Sequence, residues 1–180
     1  MWWRNPFRIA AVIALGALNA ACFQPLYASR SVSGTPLGQA LAQVRVERIN
    51  APNGTPDARI AVEIQNRLDF ELNGGGGLIS PTHSLKVQMN VGRSSIITDV
   101  ATGRVLSEIT GIDASITLTE LATGKTAMSS RTFARVSSDY PGQQQRFART
   151  RARIDAEDRA AKVIAENIRT RVAAFFVAGS

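Results

Sequence analysis

The residue with the most specific chemistry in this chain is its one cysteine, Cys22. It follows an apolar run, Ile9 to Leu18, behind a short head that carries Arg4 and Arg8. A basic head, about ten apolar residues and a final group of small residues are typical of a secretory signal peptide. The run is shorter than the roughly 20 residues that span a bilayer. We therefore expect a signal peptide over residues 1–21 and lipid attachment at Cys22.

Two other outcomes compete with lipidation. Ordinary signal cleavage needs small residues at positions −3 and −1, but cutting after Ala21 places Asn19 at −3 and cutting after Ala20 places Leu18 there. An uncleaved membrane anchor is disfavoured by the short apolar run. The lipidation signal is itself atypical, because Asn19 stands where a large aliphatic residue is usual. Lipidation at Cys22 remains the better explanation for a lone cysteine in this place.

Composition restricts the partners of the exported chain. The formal net charge is +7, and Arg outnumbers Lys by 18 to 3. The planar guanidinium group of Arg matches the geometry of phosphates and carboxylates better than the point charge of the Lys ammonium does. Because an exported protein meets no nucleic acid, we expect anionic lipid, a phosphorylated glycolipid or an acidic protein surface as partner. The alternative is a solvated basic surface without a specific ligand.

The first half of the chain divides into a tether and the start of a domain. Residues 22–41 are rich in Ser, Gly, Pro and Ala and predict a tether, partly ordered at best. Residues 42–180 then form one domain. Alternation over Val44 to Ile49 predicts a short strand. Thr55 followed by Pro and Asp predicts a helix start, and that helix ends at Asn73 before four consecutive glycines.

Three strands and two similar turns come next. Apolar residues alternate from Leu85 to Val91, which predicts a strand with one buried face. Ala101 to Arg104 and Ala122 to Lys125 share the pattern Ala-Thr-Gly-basic, which predicts hairpin turns with glycine at a positive φ. The apolar phase slips near Gly111, where we expect a bulge or bend. A half-exposed strand follows over residues 126–136.

The chain ends in a long amphipathic helix. Its apolar stripe consists of Ile154, Ala161, Ile164, Ile168, Val172 and Phe175. The complete order is β-α-β-β-β-α. Two helices on one face of a four-stranded, mainly antiparallel sheet bury both apolar stripes, so the sequence predicts an α+β two-layer sandwich.

The residues after the cysteine, Cys22-Phe-Gln-Pro-Leu-Tyr27, carry a resemblance to a known family. They resemble the mature start of the lipopolysaccharide-assembly lipoproteins of the LptE family, in which a lipidated Cys and usually a Gly precede Phe-x-Pro-Leu-Tyr. The Gly is missing here. The fold of that family has the same element order, so the resemblance extends to the whole chain.

The resemblance implies a non-enzymatic role in the outer membrane. Members of the family plug the lumen of a large β-barrel, LptD, help it to fold and help deliver lipopolysaccharide to the cell surface. The implied location is the periplasmic side of the outer membrane, with Cys22 acylated and buried in outer-membrane lipid. A plug needs a polar exterior because barrel lumens are polar. Outward strand positions here are small or polar, namely Lys86, Gln88, Asn90, Asp113, Ser115, Thr117 and Thr119.

Two groups of cations are candidate contacts for lipopolysaccharide or for the barrel. Arg93, Arg104 and Lys125 lie at strand ends or turns, where they could meet lipid phosphates; the alternative is that they only aid solubility. The second group opens the last helix and consists of Arg146, Arg149, Arg151 and Arg153. Cations at a helix N-terminus oppose its dipole, so an external anion is one explanation. The other is neutralisation by the nearby acids, which are Asp155, Glu157 and Asp158.

Other functions receive less support. An auxiliary lipoprotein of an ABC-type lipid transporter is also a small α+β domain behind a lipidated cysteine. A periplasmic hydrolase would require His83, the single histidine, to act with a nucleophile and an orienting acid. We expect His83 to be a surface residue in a turn. We expect no catalytic residue, no metal site and no cofactor.

Overall fold

The computed structural model describes residues 31–74, 80–140 and 146–179. The predicted signal peptide, Cys22 and the motif that follows it lie outside these residues. In chain order, the described elements are α1 (Leu37–Ala42), β1 (Val44–Val46), α2 (Pro56–Asn73), β2 (His83–Thr98), β3 (Val105–Glu120), β4 (Thr126–Asp139) and α3 (Arg146–Ala178).

The four strands form one sheet in the order β1-β2-β3-β4. The short β1 runs parallel to β2, with Val44 beside His83. The β2–β3 and β3–β4 pairs are antiparallel. Since α2 and α3 both pack on the same layer of core residues, the predicted two-layer α+β sandwich with a mainly antiparallel sheet is confirmed.

The core lies between the helices and one face of the sheet. The two long helices contribute four-residue apolar spacings, and the strands contribute alternate positions. Fully buried members of the core include Ile60, Ile64, Leu68, Leu85, Ile112, Ile116, Leu118, Ile164 and Ile168. Burial of each such side chain stabilises the fold by about 1.5–3 kcal/mol. Along α3, four fully buried alanines leave room for close packing of the helix, namely Ala156, Ala160, Ala161 and Ala165.

Helix α2 begins and ends as the sequence predicts. The Thr55 hydroxyl accepts a hydrogen bond from the backbone N–H of Ala58 at 3.2 Å, and Pro56 occupies the first helical position. This arrangement satisfies one of the free N–H groups of the first turn. At the other end, Gly74 takes the left-handed conformation with φ 62°, which ends the helix.

The two turns with the shared Ala-Thr-Gly pattern have the same geometry. Gly103 and Gly124 adopt φ angles of 66° and 67°. Their N–H groups donate to the carbonyls of Asp99 and Glu120 at 2.7 and 2.9 Å. A residue with a Cβ is strained at this φ, which explains the glycine in each turn. The predicted hairpin chemistry is therefore confirmed.

The sequence placed two boundaries incorrectly. The segment predicted as a tether through residue 41 already contains α1, whose Leu37 and Leu41 side chains are 0% and 2% exposed in the core. A six-residue helix has little intrinsic stability, so burial of these leucines, rather than helix propensity, holds it. The first strand is shorter than predicted and ends at Val46, although Ile49 beyond it is also buried.

The predicted bulge near Gly111 is wrong. Gly111 pairs in regular register with Gly92 and Arg135, and the irregularities of β3 pairing lie elsewhere, between Leu118 and Thr119 and in the segment opposite residues 95–98. A Cβ on Gly111 would lie 3.0 Å from the Cδ of Arg135. Glycine at this position therefore makes room for the Arg135 side chain, which crosses over it.

Candidate functional site

A buried carboxylate marks the end of the sandwich where α3 begins. The Glu157 side chain is only 1% exposed. It stands on the apolar stripe of α3, one turn before Ala161 and two turns before Ile164. An ionised carboxylate in this position costs several kcal/mol unless cations pair with it.

Two arginines from other elements provide those cations. Arg59 of α2 donates to both Glu157 and Asp158. Arg93 of β2 donates to Glu157 at 3.0 Å and to Asp57 at 3.2 Å. The group therefore joins both long helices to the sheet. We call Asp57, Arg59, Arg93, Glu157 and Asp158 the charge cluster.

The charge cluster favours the charged form of its two arginines. Partial burial lowers the pKa of Arg93, but hydrogen bonds from its guanidinium to Glu157 and Asp57 and the charges of those groups outweigh this effect. The net result is a raised pKa for Arg93. For Arg59 burial again acts to lower the pKa, and the bonds to Asp158 and Glu157 raise it overall. Arg93, a candidate contact for an external phosphate, is thus already engaged inside the protein.

Of the cations that open α3, Arg153 forms an ion pair with Glu157 one turn later, which is part of the neutralisation expected from the sequence. Asp158 pairs instead with Arg59. Glu157 lies 3.9 Å from the Arg153 Nε, while its close bonds go to arginines of other elements. Asp155 pairs with Arg159 at 2.8 Å. Arg149 is exposed, and its guanidinium lies 4.7 Å above the centre of the Tyr140 ring.

Two further arginines lie at the start of α3. Arg151 is exposed at the same end of the sandwich. Arg146 opens α3, and its side chain lies outside the described part of the chain. Arg149 and Arg151 are therefore the exposed candidates for an external acidic group.

Arg104 and Lys125 do not form one site. Arg104 belongs to the turn between β2 and β3, and Lys125 belongs to the turn between β3 and β4. The 16 residues of β3 separate these turns, a distance of roughly 50 Å at the usual rise of a strand. The predicted group of Arg93, Arg104 and Lys125 is therefore divided between two ends of the molecule, and no single phosphate can contact all three.

The outer face of the sheet is polar, as the alternation predicts. Lys86, Gln88, Asn90, Asp113 and Ser115 are all exposed there. Arg135 donates two hydrogen bonds to the carboxylate of Asp113, at 2.8 and 2.9 Å. Over these positions the face can therefore contact a polar surface.

One exposed aromatic side chain interrupts the polar outer face. The Phe133 ring is 65% exposed and lies on β4 between two arginines. The guanidinium of Arg135 lies 5.5 Å from the ring centre. Arg131 borders the same shallow depression, which Gln88, Asn90 and Asp113 also line.

His83 begins β2 and is more enclosed than predicted. Its ring meets the edges of Phe175 and Phe176, with ring centres 6.4 and 5.1 Å apart. Burial lowers the pKa of His83, against an opposing effect of Glu120. The Nδ1 atom lies 2.9 Å from the Thr82 hydroxyl. His83 is thus part of an aromatic contact at the end of the sandwich away from the charge cluster.

Sequence reasoning missed the importance of Glu157 and Arg59. The signal for Glu157 was present, because a charged residue stood on the apolar stripe of α3. Its partners Arg59 and Arg93 lie 98 and 64 positions away, so no local spacing rule could identify them.

Within residues 31–74, 80–140 and 146–179, no group of three or more His, Cys, Asp or Glu side chains is placed to hold a metal ion. No helix in the same ranges is long and apolar enough to cross a membrane.

Comparison with known proteins relates this chain to others by fold alone. No protein-family model and no curated protein sequence matches it. Among solved structures, a Caulobacter crescentus CB15 protein named as a lipoprotein superimposes with a TM-score of 0.58 at 19% identity, over 80% of this chain and 97% of that one. Rare lipoprotein B from Shewanella oneidensis gives a TM-score of 0.51 at 13% identity, over 73% and 93%. A minor lipoprotein from Acinetobacter baumannii also gives 0.51 at 13% identity, over 73% and 88%. The chain therefore has the fold of these three proteins.

Proposed function

We propose that this chain is an outer-membrane lipoprotein that assembles with and plugs the lipopolysaccharide-exporting β-barrel, and so supports lipopolysaccharide transport and outer-membrane assembly. The observation that carries the proposal is the fold shared with three proteins named as lipoproteins, over 88–97% of their lengths. The predicted acylation of Cys22 supplies the anchor on the periplasmic side. Several acyl chains are needed for stable attachment, because one chain alone binds a membrane only marginally.

The surfaces of the sandwich support a role as a plug. The lumen of a large outer-membrane barrel is polar. The outer sheet face offers Gln88, Asn90, Asp113 and Ser115 to such a wall. The charge cluster joins both helices to the sheet and favours a rigid body. Arg149 and Arg151 provide positive charge for acidic groups of the barrel or for lipid phosphates.

The anchor is tested by mass spectrometry of the native protein purified from membranes. We expect an N-terminus at Cys22 that carries a thioether-linked diacylglycerol and an amide-linked acyl chain. Cys22→Ser should be neither acylated nor retained in the membrane fraction. A bare sulfur at Cys22, or an N-terminus elsewhere, would contradict the lipoprotein part of the proposal.

The barrel partnership is tested by depletion of the protein in its own host. We expect loss of surface lipopolysaccharide and loss of the LptD-like barrel in its correctly disulfide-bonded form. Pull-down from detergent-solubilised outer membranes should recover a large β-barrel. Recovery of the periplasmic subunits of an ABC-type transporter instead would favour the alternative function, and normal surface lipopolysaccharide would count against the proposal.

A further inference from the structure

The outer edge of β4 is not covered by any other described strand. The sheet order places β4 at one end, next to β3 only. Over residues 129–139 its register with β3 runs without a shift. Such a long, regular edge is a template for another strand, because its outward N–H and C=O groups lack partners in the sheet.

The ladder itself identifies which backbone groups point outward. Tyr140, just after β4, donates its N–H to the carbonyl of Leu106 on the β3 side. In an antiparallel ladder, hydrogen-bonded pairs alternate with non-bonded pairs. Even-numbered residues of β4 therefore bond to β3, and the odd-numbered residues direct their backbone groups to the free edge. Over residues 129–139 these odd-numbered residues are Ser129, Arg131, Phe133, Arg135, Ser137 and Asp139.

A side chain provides independent support for this assignment. The Arg159 guanidinium of α3 donates to the carbonyl of Ser137 at 3.2 Å, so this outward group is already occupied. The open part of the edge therefore runs from Ser129 to Arg135. It offers four N–H donors and four carbonyl acceptors in line.

The side chains beside the open edge indicate what kind of strand would fit. Arg131, Phe133 and Arg135 all lie on the outer face of β4. Arg135 is paired with Asp113, whereas the described residues include no acidic partner for Arg131. An added strand would place its own alternate side chains directly beside these three residues. Acidic and apolar side chains at alternate positions would complement them.

We propose that β4 binds an extended segment of a partner protein by β-strand addition, and that this segment carries acidic residues on either side of an apolar one along its outward face. Main-chain hydrogen bonds to the odd-numbered residues would supply the affinity, and Arg131 with Phe133 would supply the selectivity. A second copy of this chain fits less well, because it would bring its own Arg131 and Arg135 to the same side of the sheet. This inference does not rest on the proposed function.

The test uses the full chain purified in detergent and a synthetic probe, acetyl-TETITET-amide, labelled for fluorescence anisotropy. The control probe is acetyl-TKTITKT-amide, which keeps the pattern and reverses the charge. We expect the acidic probe to bind at least about tenfold more tightly than the basic one. Failure of the acidic probe to bind up to about 2 mM would overturn the proposal.

Amide hydrogen exchange locates the binding. In the free protein the N–H groups of Ser129, Arg131, Phe133 and Arg135 should exchange quickly, while those of Thr132 and Ala134 are protected by β3. The acidic probe should slow the odd-numbered amides and leave the even-numbered ones unchanged. Binding without this alternating pattern would refute strand addition. Protection of the odd-numbered amides in a self-associated protein without peptide would refute the proposal in favour of a second copy.

Two variants separate backbone pairing from charge. Ser129→Pro removes an outward N–H without removing a bond to β3, since proline is tolerated at an exposed edge. Ser129→Pro should lower the affinity for the acidic probe by about tenfold or more, whereas the matched Ser129→Ala should bind the probe as the unaltered chain does. Arg131→Glu should reverse the preference between the two probes without affecting the fold. If the preference between the acidic and the basic probe is the same in Arg131→Glu as in the unaltered chain, Arg131 does not supply the selectivity.

Discussion

The two ends of the sandwich are held by different forces, although α3 contributes to both. At one end, Glu157 is surrounded by arginines from α2 and β2. At the other end, Phe175 and Phe176 pack against each other with ring centres 5.4 Å apart and against His83. The ion pairs at the charged end depend on direction, and we expect the removal of one partner to destabilise the fold there. The aromatic end depends on buried area and tolerates changes in ionic conditions.

The two ends also differ in what they present: exposed positive charge at one, and an attachment of the N-terminal segment at the other. The charge cluster leaves Arg149 and Arg151 exposed nearby, so that end presents positive charge outside a neutralised interior. At the aromatic end, the backbone N–H of Val32 donates to the carbonyl of Phe176 at 2.9 Å. This bond attaches the described N-terminal segment to the last helix. The N-terminal segment is therefore held at the end of the sandwich opposite the charge cluster.

The largest effect is expected for Glu157→Gln. The substitution keeps the side-chain shape but leaves Arg59 and Arg93 facing a neutral group, and loss of a buried ionic partner costs about 3 kcal/mol of unfolding free energy. Urea denaturation of the full chain in detergent measures this loss. Because Arg59 and Arg93 are partly exposed, salt should screen the wild-type pairs in part, and the difference between the two proteins should shrink modestly at high ionic strength.

The matched control is Asp155→Asn on the same helix. Asp155 pairs with Arg159, but the two side chains are 66% and 53% exposed. Exposed pairs of this kind contribute about 1 kcal/mol or less. If Glu157→Gln and Asp155→Asn destabilise the protein equally, the charged end does not depend on a buried carboxylate.

A smaller loss is expected for Phe176→Ala at the aromatic end. The ring is half-buried, so its removal should cost about 2 kcal/mol, less than the 3–5 kcal/mol of a fully buried phenylalanine. Unlike the loss in Glu157→Gln, this loss should not change with salt. Phe147→Ala is the control, since that ring is 88% exposed and its removal should change stability by no more than about 0.5 kcal/mol. A salt-dependent loss in Phe176→Ala would remove the distinction between the two ends.

The features that the sequence predicted are those fixed by neighbours along the chain. Thr55 and Pro56 start α2, and Gly103 and Gly124 form their turns, because each acts on backbone within a few residues. The apolar stripes of both helices have the same local origin. Together these local features sufficed for the order of the four strands and the two long helices and for the layer arrangement.

The features that were missed depend on residues far apart in the chain. The pairing of Arg93 with Glu157 requires the folded sheet and helix to meet. Helix α1 exists because Leu37 and Leu41 reach a core built by later elements. The apolar phase slip near Gly111 was misread because the room that Arg135 needs over it is visible only across two strands.

The smallest effect is expected from pH, and it separates the ends in another way. Burial holds the pKa of His83 below its ordinary value in the folded protein. As the pH falls through about 6.5, the unfolded chain therefore takes up a proton more readily than the folded one, and unfolding becomes easier. Above about pH 7.5 both states are neutral and the effect vanishes. Urea midpoints between pH 8 and pH 5.5 should show this decline.

His83→Phe provides the control for the pH effect, because it keeps a ring against Phe175 and Phe176 but has no titrating nitrogen. Since His83 is the single histidine, the decline through pH 6.5 should become flatter in this variant. Arg59 and Arg93 should not titrate in this range, because the pKa of each is raised above its ordinary value. An unchanged decline in His83→Phe would mean that a group other than His83 takes up the proton, and pH would then not distinguish the aromatic end from the charged one.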